Sequence, residues 1–229
     1  MNKVPVMTID GPSGSGKGTV SRAAARALGW VLLDSGALYR LVALAGRQAG
    51  VSLDNGAELA RLAQAADLGF GSGRSGEEVV WLDGNDVTGA IRTEEAGNDA
   101  SKVAALPPVR AALLERQRRF AVPPGLVADG RDMGTVVFPG AEVKIFLTAS
   151  AAERALRRHK QLKEKGVAAN LAALSLEIAE RDLRDSTRAA SPLVASADAV
   201  LLDTTGMSVD AVVERVLEAA RKRLSRGVL

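Results

Sequence analysis

The sequence predicts an α/β protein: a five-stranded parallel sheet flanked by helices, with two segments inserted into it. Three observations carry that prediction. Five short apolar runs recur along the 229 residues, rich in β-branched side chains and mostly not alternating, as strands buried on both faces read. Helical segments lie between them. Four of the five runs carry an aspartate at or near the C-terminal end, the edge at which open α/β sheets bind ligands.

The first run is "VPVMTID" (4–10), followed by a helix over 17–28. The second is "WVLLD" (30–34). A long insertion then holds helices near 37–49 and 57–66, the glycine-rich "GFGSGRSG" (69–76), and "EVVWLDGNDVTGAI". The last reads as two β-like runs around Asp83-Gly84-Asn85, a hairpin signal. Residues 93–120 read as helix, interrupted at Pro107-Pro108. The third and fourth runs are "LVAD" (126–129) and "VKIFLTA" (143–149). A second insertion, 152–188, is charged and helical, with a break at Gly166. After the fifth run, "AVLLDT" (199–204), the helix over 209–224 places Val209, Val212, Val213, Val216, Leu217, Ala220 and Leu224 on one face. Ser208 caps its start, and Arg221, Lys222 and Arg223 suit the dipole at its end. Trp30 and Trp81 read as packing residues.

Composition is that of a globular protein, 47% apolar and 25% charged. Thirty basic residues stand against 27 acidic ones, a net charge of only +3. That balance suits one anion-binding cleft better than a nucleic-acid surface. Aromatics make up 3%, and no basic run has aromatics interleaved, so recognition of bases by stacking is poorly supported. With no cysteine, disulfides and thiolate zinc sites are excluded, which fits a reducing compartment. The N-terminus lacks the apolar core of a signal peptide, and no stretch of about 20 apolar residues could span a membrane. A cytoplasmic protein is expected. His159, the only histidine, lies between Arg158 and Lys160 and reads as solvated.

The chemistry starts at the first joint. "GPSGSGKG", Gly11 to Gly18, matches the G-x-x-x-x-G-K pattern of a phosphate-binding loop and has the strand before it and helix after it that the pattern needs. Glycines let successive backbone N–H groups converge on one anion, and the helix start adds positive potential. Lys17 reaches the outer phosphates. Position 18 is Gly where many such loops have a metal-binding hydroxyl, and Thr19 is the nearest substitute. This argues against a GTPase or motor ATPase.

Two further loops carry charge to the same edge. "LLDSGALYR" (32–40) ends the second strand with Asp34 and Ser35, placing Arg40 on the helix beyond. "ADGRDMGTVVFPG" (128–140) crowds Asp129, Arg131 and Asp132 into one turn, and arginine grips phosphate with a fixed fork. In "ERDLRDSTR" (180–188), Arg181, Arg184 and Arg188 share a helix face, a clamp for transferring phosphates.

These stretches, together with "IRTEEAGNDASKVAALPPVR" and "ERDLRDSTRAASPL", resemble the bacterial cytidylate kinases of the P-loop nucleoside monophosphate kinase family over nearly the whole chain. The resemblance implies a core of 1–36, 121–151 and 189–229, an insertion of about 37–120 that binds the nucleoside monophosphate, and a lid of about 152–188. It implies that Gly11, Pro12, Ser13, Gly14, Ser15, Gly16, Lys17, Gly18 and Thr19 wrap the ATP phosphates, with Arg157 and Arg158 of the lid beside them. Ser35, Arg40, Arg131 and Arg188 fall to the acceptor phosphate, Ser101, Arg110 and Asp132 to cytosine, and Arg181 and Asp185 to the ribose. Lys17, Arg131, Arg184 and Arg188 become the catalytic cations. Thr19, Asp34 and Asp129 are left to hold Mg²⁺ through water.

The activity so implied is transfer of the ATP γ-phosphoryl to CMP or dCMP, in a monomer with no nucleic-acid or membrane partner. The acceptor is already anionic, so positioning and charge stabilisation suffice, and closure of the insertions would exclude water. The alternatives are a kinase of another nucleoside monophosphate, such as UMP, and a non-catalytic nucleotide switch.

Overall fold

A computed structural model of the chain describes residues 4–72, 78–164 and 166–225. In chain order the elements are β1 (Val6–Asp10), α1 (Lys17–Leu28), β2 (Val31–Asp34), α2 (Ser35–Gln48), α3 (Gly56–Ala65), β3 (Leu68–Ser72), β4 (Glu78–Leu82) and β5 (Asn85–Asp86). They continue with α4 (Glu94–Val103), α5 (Pro107–Arg118), β6 (Leu126–Gly130), a π-helical turn (Met133–Val137), β7 (Val143–Thr148), α6 (Ala151–Glu164), α7 (Leu171–Thr187), β8 (Val200–Asp203) and α8 (Val209–Leu224). The chain divides into two compact units, Met1–Asp34 with Arg118–Leu229, and Ser35–Gln117.

The first unit is the expected parallel sheet, in the order β2-β6-β1-β7-β8. Met7, Ile9, Val127, Val143, Ile145 and Leu147 pack with Val20 and Ala24 of α1 and with Val212, Val216 and Ala220 of α8. Burial on both faces explains why the runs of the three central strands, β6, β1 and β7, do not alternate. The indole of Trp30 lies over Gly125, where a Cβ would come within 2.4 Å of the ring. Register does the work of assembling the site edge: Asp34 pairs with Asp129, and Asp10 with Gly130. Because β6 lies between β1 and β2, Asp34 neighbours Asp129 and stands one strand away from the loop that follows β1. Ser208 caps α8 by accepting from Ala211 N–H at 3.3 Å.

The second unit holds α2 to α5 and an antiparallel sheet, β3-β4-β5. Ala37, Leu41, Ala45, Val80, Leu82, Val87 and Ile91 form its core. The hairpin is present, turning at Asp83 (φ 49°) and Gly84 (φ 79°), the pair of positive φ values that a two-residue hairpin turn needs. Strand β3 adds to the reading of the sequence. Its glycines serve the Trp81 ring on β4, since a Cβ at Gly71 would lie 2.8 Å from that ring. Residues 73–76 of the glycine-rich stretch lie outside the described residues. Among the described residues no helix is long and apolar enough to cross a membrane.

Candidate functional site

The loop between β1 and α1 closes on itself. Gly11 has φ 147°, and a Cβ there would fall 2.0 Å from the Leu147 carbonyl oxygen, so only glycine can start the loop. Gly14 and Gly16 also have positive φ, and α1 begins at Lys17. The Lys17 ammonium is buried and donates to the Pro12 carbonyl at 2.8 Å; Ser15 Oγ donates to the same carbonyl at 3.0 Å.

Sequence reasoning missed one residue that braces this loop. Arg154 of α6 is buried, 5% exposed. Its guanidinium donates to the Ser13 carbonyl at 3.1 Å, to the Ala149 carbonyl at 3.0 Å, and with two nitrogens to Asp182 of α7 at 3.0 and 2.6 Å. It therefore ties the phosphate loop to both helices of the second insertion. The signal was present but faint: the helical period that buries Ala155 and Leu162 puts Arg154 at the edge of their face.

Behind the loop, titratable groups crowd together. Burial pushes the Lys17 ammonium well below the usual lysine range, with Arg131 and Arg181 adding to the effect and Asp129 and Asp185 opposing it. Burial pushes the Asp129 carboxyl up; Lys17 opposes this, while Asp34 adds to it. A Cβ at Gly18 would lie 3.4 Å from Asp129 Oδ2. Position 18 thus faces this carboxylate, and Thr19, one residue further around the helix, is exposed.

The arginines stand against carboxylates. Arg131 donates to Asp185 at 2.9 Å. Burial works against the charge on Arg131, but Asp185, Asp129 and Asp10 outweigh it and raise its pKa. Burial likewise opposes the charge on Asp185, but Arg131 and Arg181 hold its carboxyl below the usual range. Arg188 and Asp132, both buried, approach to 3.8 Å. Arg188 does not continue the face of Arg181 and Arg184. It is the residue after α7, in extended backbone (φ −59°, ψ 137°), and donates to the Ser191 carbonyl.

Of the two neighbouring arginines on α6, Arg157 contacts the loop and Arg158 turns along its own helix. Arg157 donates to Thr204 Oγ1 at 3.0 Å, to the Ser15 carbonyl at 3.4 Å and to Glu153 at 2.9 Å. Arg158 donates to Gln161 at 3.1 Å. In the second unit, Ser35 and Ser101 are buried. Arg40 donates to the Ile91 carbonyl, and Arg110 donates to the Ala104 carbonyl at 3.2 Å while lying 5.8 Å from the centre of the Tyr39 ring.

A phosphate-binding loop with a buried lysine, two carboxylates at adjacent strand ends and a shell of braced arginines is equipped to handle more than one phosphate. The comparisons with known proteins agree. Residues 7–222 match the family model described as cytidylate kinase. A cytidylate kinase from Stutzerimonas stutzeri is 58% identical over 96% of each chain. One from Marinomonas sp. is 56% identical over 97% of this chain and 98% of its own, and one from Shewanella loihica 54% over 99% of each.

Proposed function

The chain belongs to the cytidylate kinase family, and from that premise we propose that it transfers the γ-phosphoryl group of ATP to CMP or dCMP, giving ADP and CDP or dCDP. The observation that carries the reading is the grouping of Arg131, Arg181, Asp129 and Asp185 within electrostatic reach of Lys17, at the end of a single phosphate loop. A nucleotide switch needs one phosphate site; this set of cations provides for a donor and an acceptor together.

The loop Gly11–Thr19 holds the ATP phosphates through its N–H groups, with Lys17 neutralising the transferred group and Arg157 and Arg158 on the donor side. Arg131, Arg184 and Arg188 stabilise the charge that spreads over both phosphates as the bond to the leaving oxygen breaks in line. Ser35 and Arg40 take the acceptor phosphate, and Arg181 and Asp185 its ribose. Residues 37–120 act as the monophosphate-binding insertion and 152–188 as the lid.

Mg²⁺ fits the residues present. An ion held mainly by phosphates and water needs few protein ligands. Asp34 and Asp129, paired in register, are the two carboxylates that would hold it through water, with Thr19 the nearest hydroxyl. When bound, the ion supplies charge neutralisation at the phosphates. The same reading makes the protein a cytoplasmic monomer whose partners are its small-molecule substrates.

Base choice falls to Asp132, Ser101 and Arg110. Cytosine offers an amino donor at N4 to a carboxylate and acceptors at O2 and N3 to a hydroxyl and a guanidinium. Uracil places a carbonyl where the carboxylate needs a donor. The mismatch costs about 1–3 kcal/mol, roughly ten- to hundredfold. Coupled ADP release with MgATP and, separately, CMP, dCMP, UMP, AMP and GMP tests the reading: fast release with CMP and dCMP is expected, with little from AMP or GMP. Release that no acceptor stimulates, from folded protein, would overturn it. Asp132→Ala is expected to lower the CMP preference over UMP about tenfold or more. An equal loss on both acceptors would remove Asp132 from base reading.

A further inference from the structure

We propose that Asp10 is a positioning residue for acceptor recognition: its carboxylate seats the backbone that immediately follows Asp132 and so fixes where Asp132 stands. The proposal rests on Asp132 reading the base. Asp10 is the last residue of β1 and is buried, 5% exposed. Its Oδ1 accepts from Met133 N–H at 2.9 Å and its Oδ2 from Gly134 N–H at 2.8 Å. These are the two residues after Asp132, and they open the π-helical turn. The N–H groups at a helix start have no partner within their own helix. Here a side chain more than 120 residues away in sequence supplies one acceptor oxygen to each.

The turn is also pressed against β1. A Cβ on Gly134 would lie 2.8 Å from Thr8 Oγ1 and 3.3 Å from Asp10 Oδ2. Asp132 itself has φ −145° and ψ 24°, and its carbonyl accepts from Val136 and Val137 N–H at 2.9 and 3.2 Å. The path of the chain through Asp132 is therefore set from the turn after it, and the turn is set by β1. Only a carboxylate serves both N–H groups, because every lone pair it presents is an acceptor. Burial pushes the Asp10 carboxyl up to about 6, against the two N–H donors; Asp132 adds to the rise and Lys17 opposes it. An N–H donor on each oxygen calls for the ionised form, which offers both as acceptors.

A purely structural role and a positioning role part company in Asp10→Asn. The amide keeps one acceptor and turns an NH₂ toward the other N–H, so the turn must shift while the side-chain volume stays the same. The measurements are kcat and KM for CMP, UMP and ATP, beside the Asp132→Ala protein. The expected result is a KM for CMP raised about tenfold, a CMP:UMP ratio of kcat/KM lowered in the same direction as by Asp132→Ala, and a KM for ATP within about twofold of the parent. An unchanged CMP:UMP ratio, or a KM for ATP that rises as much as that for CMP, overturns the proposal. If Asp132→Ala lowers the ratio and Asp10→Asn does not, only Asp10 is removed. If Asp132→Ala leaves the ratio unchanged, the base-reading assignment fails and takes this proposal with it. Should Asp10→Asn not fold, Gly134→Ala lifts the same turn off Thr8 and must lower the ratio; an unchanged ratio there overturns the proposal as well.

Discussion

Lys17→Ala loses turnover by about three orders of magnitude and keeps its fold. The size follows from the role proposed for it, a cation set against phosphate oxygens where charge develops, in a site where each such donor is worth about 10²–10³ in rate. That the fold survives follows from burial. The Lys17 ammonium is held in a place that disfavours its charge, pressed by Arg131 and Arg181. A lysine whose folded pKa is depressed costs stability at every pH below its unfolded pKa. Truncating it removes that cost, though Asp129 loses the cation that opposes its rise. The thermal midpoint at neutral pH is therefore expected to change little. Coupled ADP release and a thermal melt on the same preparation check both statements. Near-normal turnover would detach the phosphate assignment from Lys17.

Arg131→Ala is expected to fail in two ways that a second substitution separates. In its proposed role as a cation on the acceptor phosphate, its loss lowers kcat/KM about 10³-fold. As an ion-pair partner of the buried Asp185, at 2.9 Å, its loss also weakens the pairing of a carboxylate, and breaking a buried pair costs about 3–5 kcal/mol before Arg181 and Arg188 compensate. Asp185 sets the pH dependence of that cost. Its folded pKa lies below the unfolded value, so its contribution is present above the unfolded pKa and lost as pH falls through the folded one. Arg131→Ala should therefore lose most stability near neutrality and least in acid. In Arg131→Ala/Asp185→Asn the neutral-pH stability should return while turnover stays far below that of Asp185→Asn alone. If turnover returns with stability, Arg131 serves the fold and not the phosphate.

Most of the architecture was legible because its causes are local. The five core strands announce themselves as apolar runs, with ends within two residues of those observed. The last helix is bounded as its cap and charges indicate. The phosphate loop is a contiguous motif between a strand and a helix, and so needs no distant residue to be recognised. What escaped was set at a distance. Strand β3 is a strand because Trp81, on another strand, needs the space its glycines leave, whereas glycine by itself argues against a strand. The π-helical turn has no local signature, since its first N–H groups are satisfied from β1. Arg154 sits among other charged residues, and only the folded chain shows that it faces inward. Arg188 looks continuous with Arg181 and Arg184 in sequence, yet the helix has ended before it.

The outward side of the phosphate loop has a consequence for its inward side. Arg154 and Arg157, both on α6, take the carbonyls of Ser13 and Ser15. In a trans peptide the carbonyl and the next residue's N–H point in opposite directions. Fixing those two oxygens toward α6 turns the N–H groups of Gly14 and Gly16 away from it. The polarity of the anion cradle is thus imposed from behind, through the carbonyls, without any contact to the nucleotide being required for it. A charge reversal on α6 would act as a peptide flip, turning an oxygen toward the phosphates and converting an attractive pocket into a repulsive one with the loop sequence unaltered.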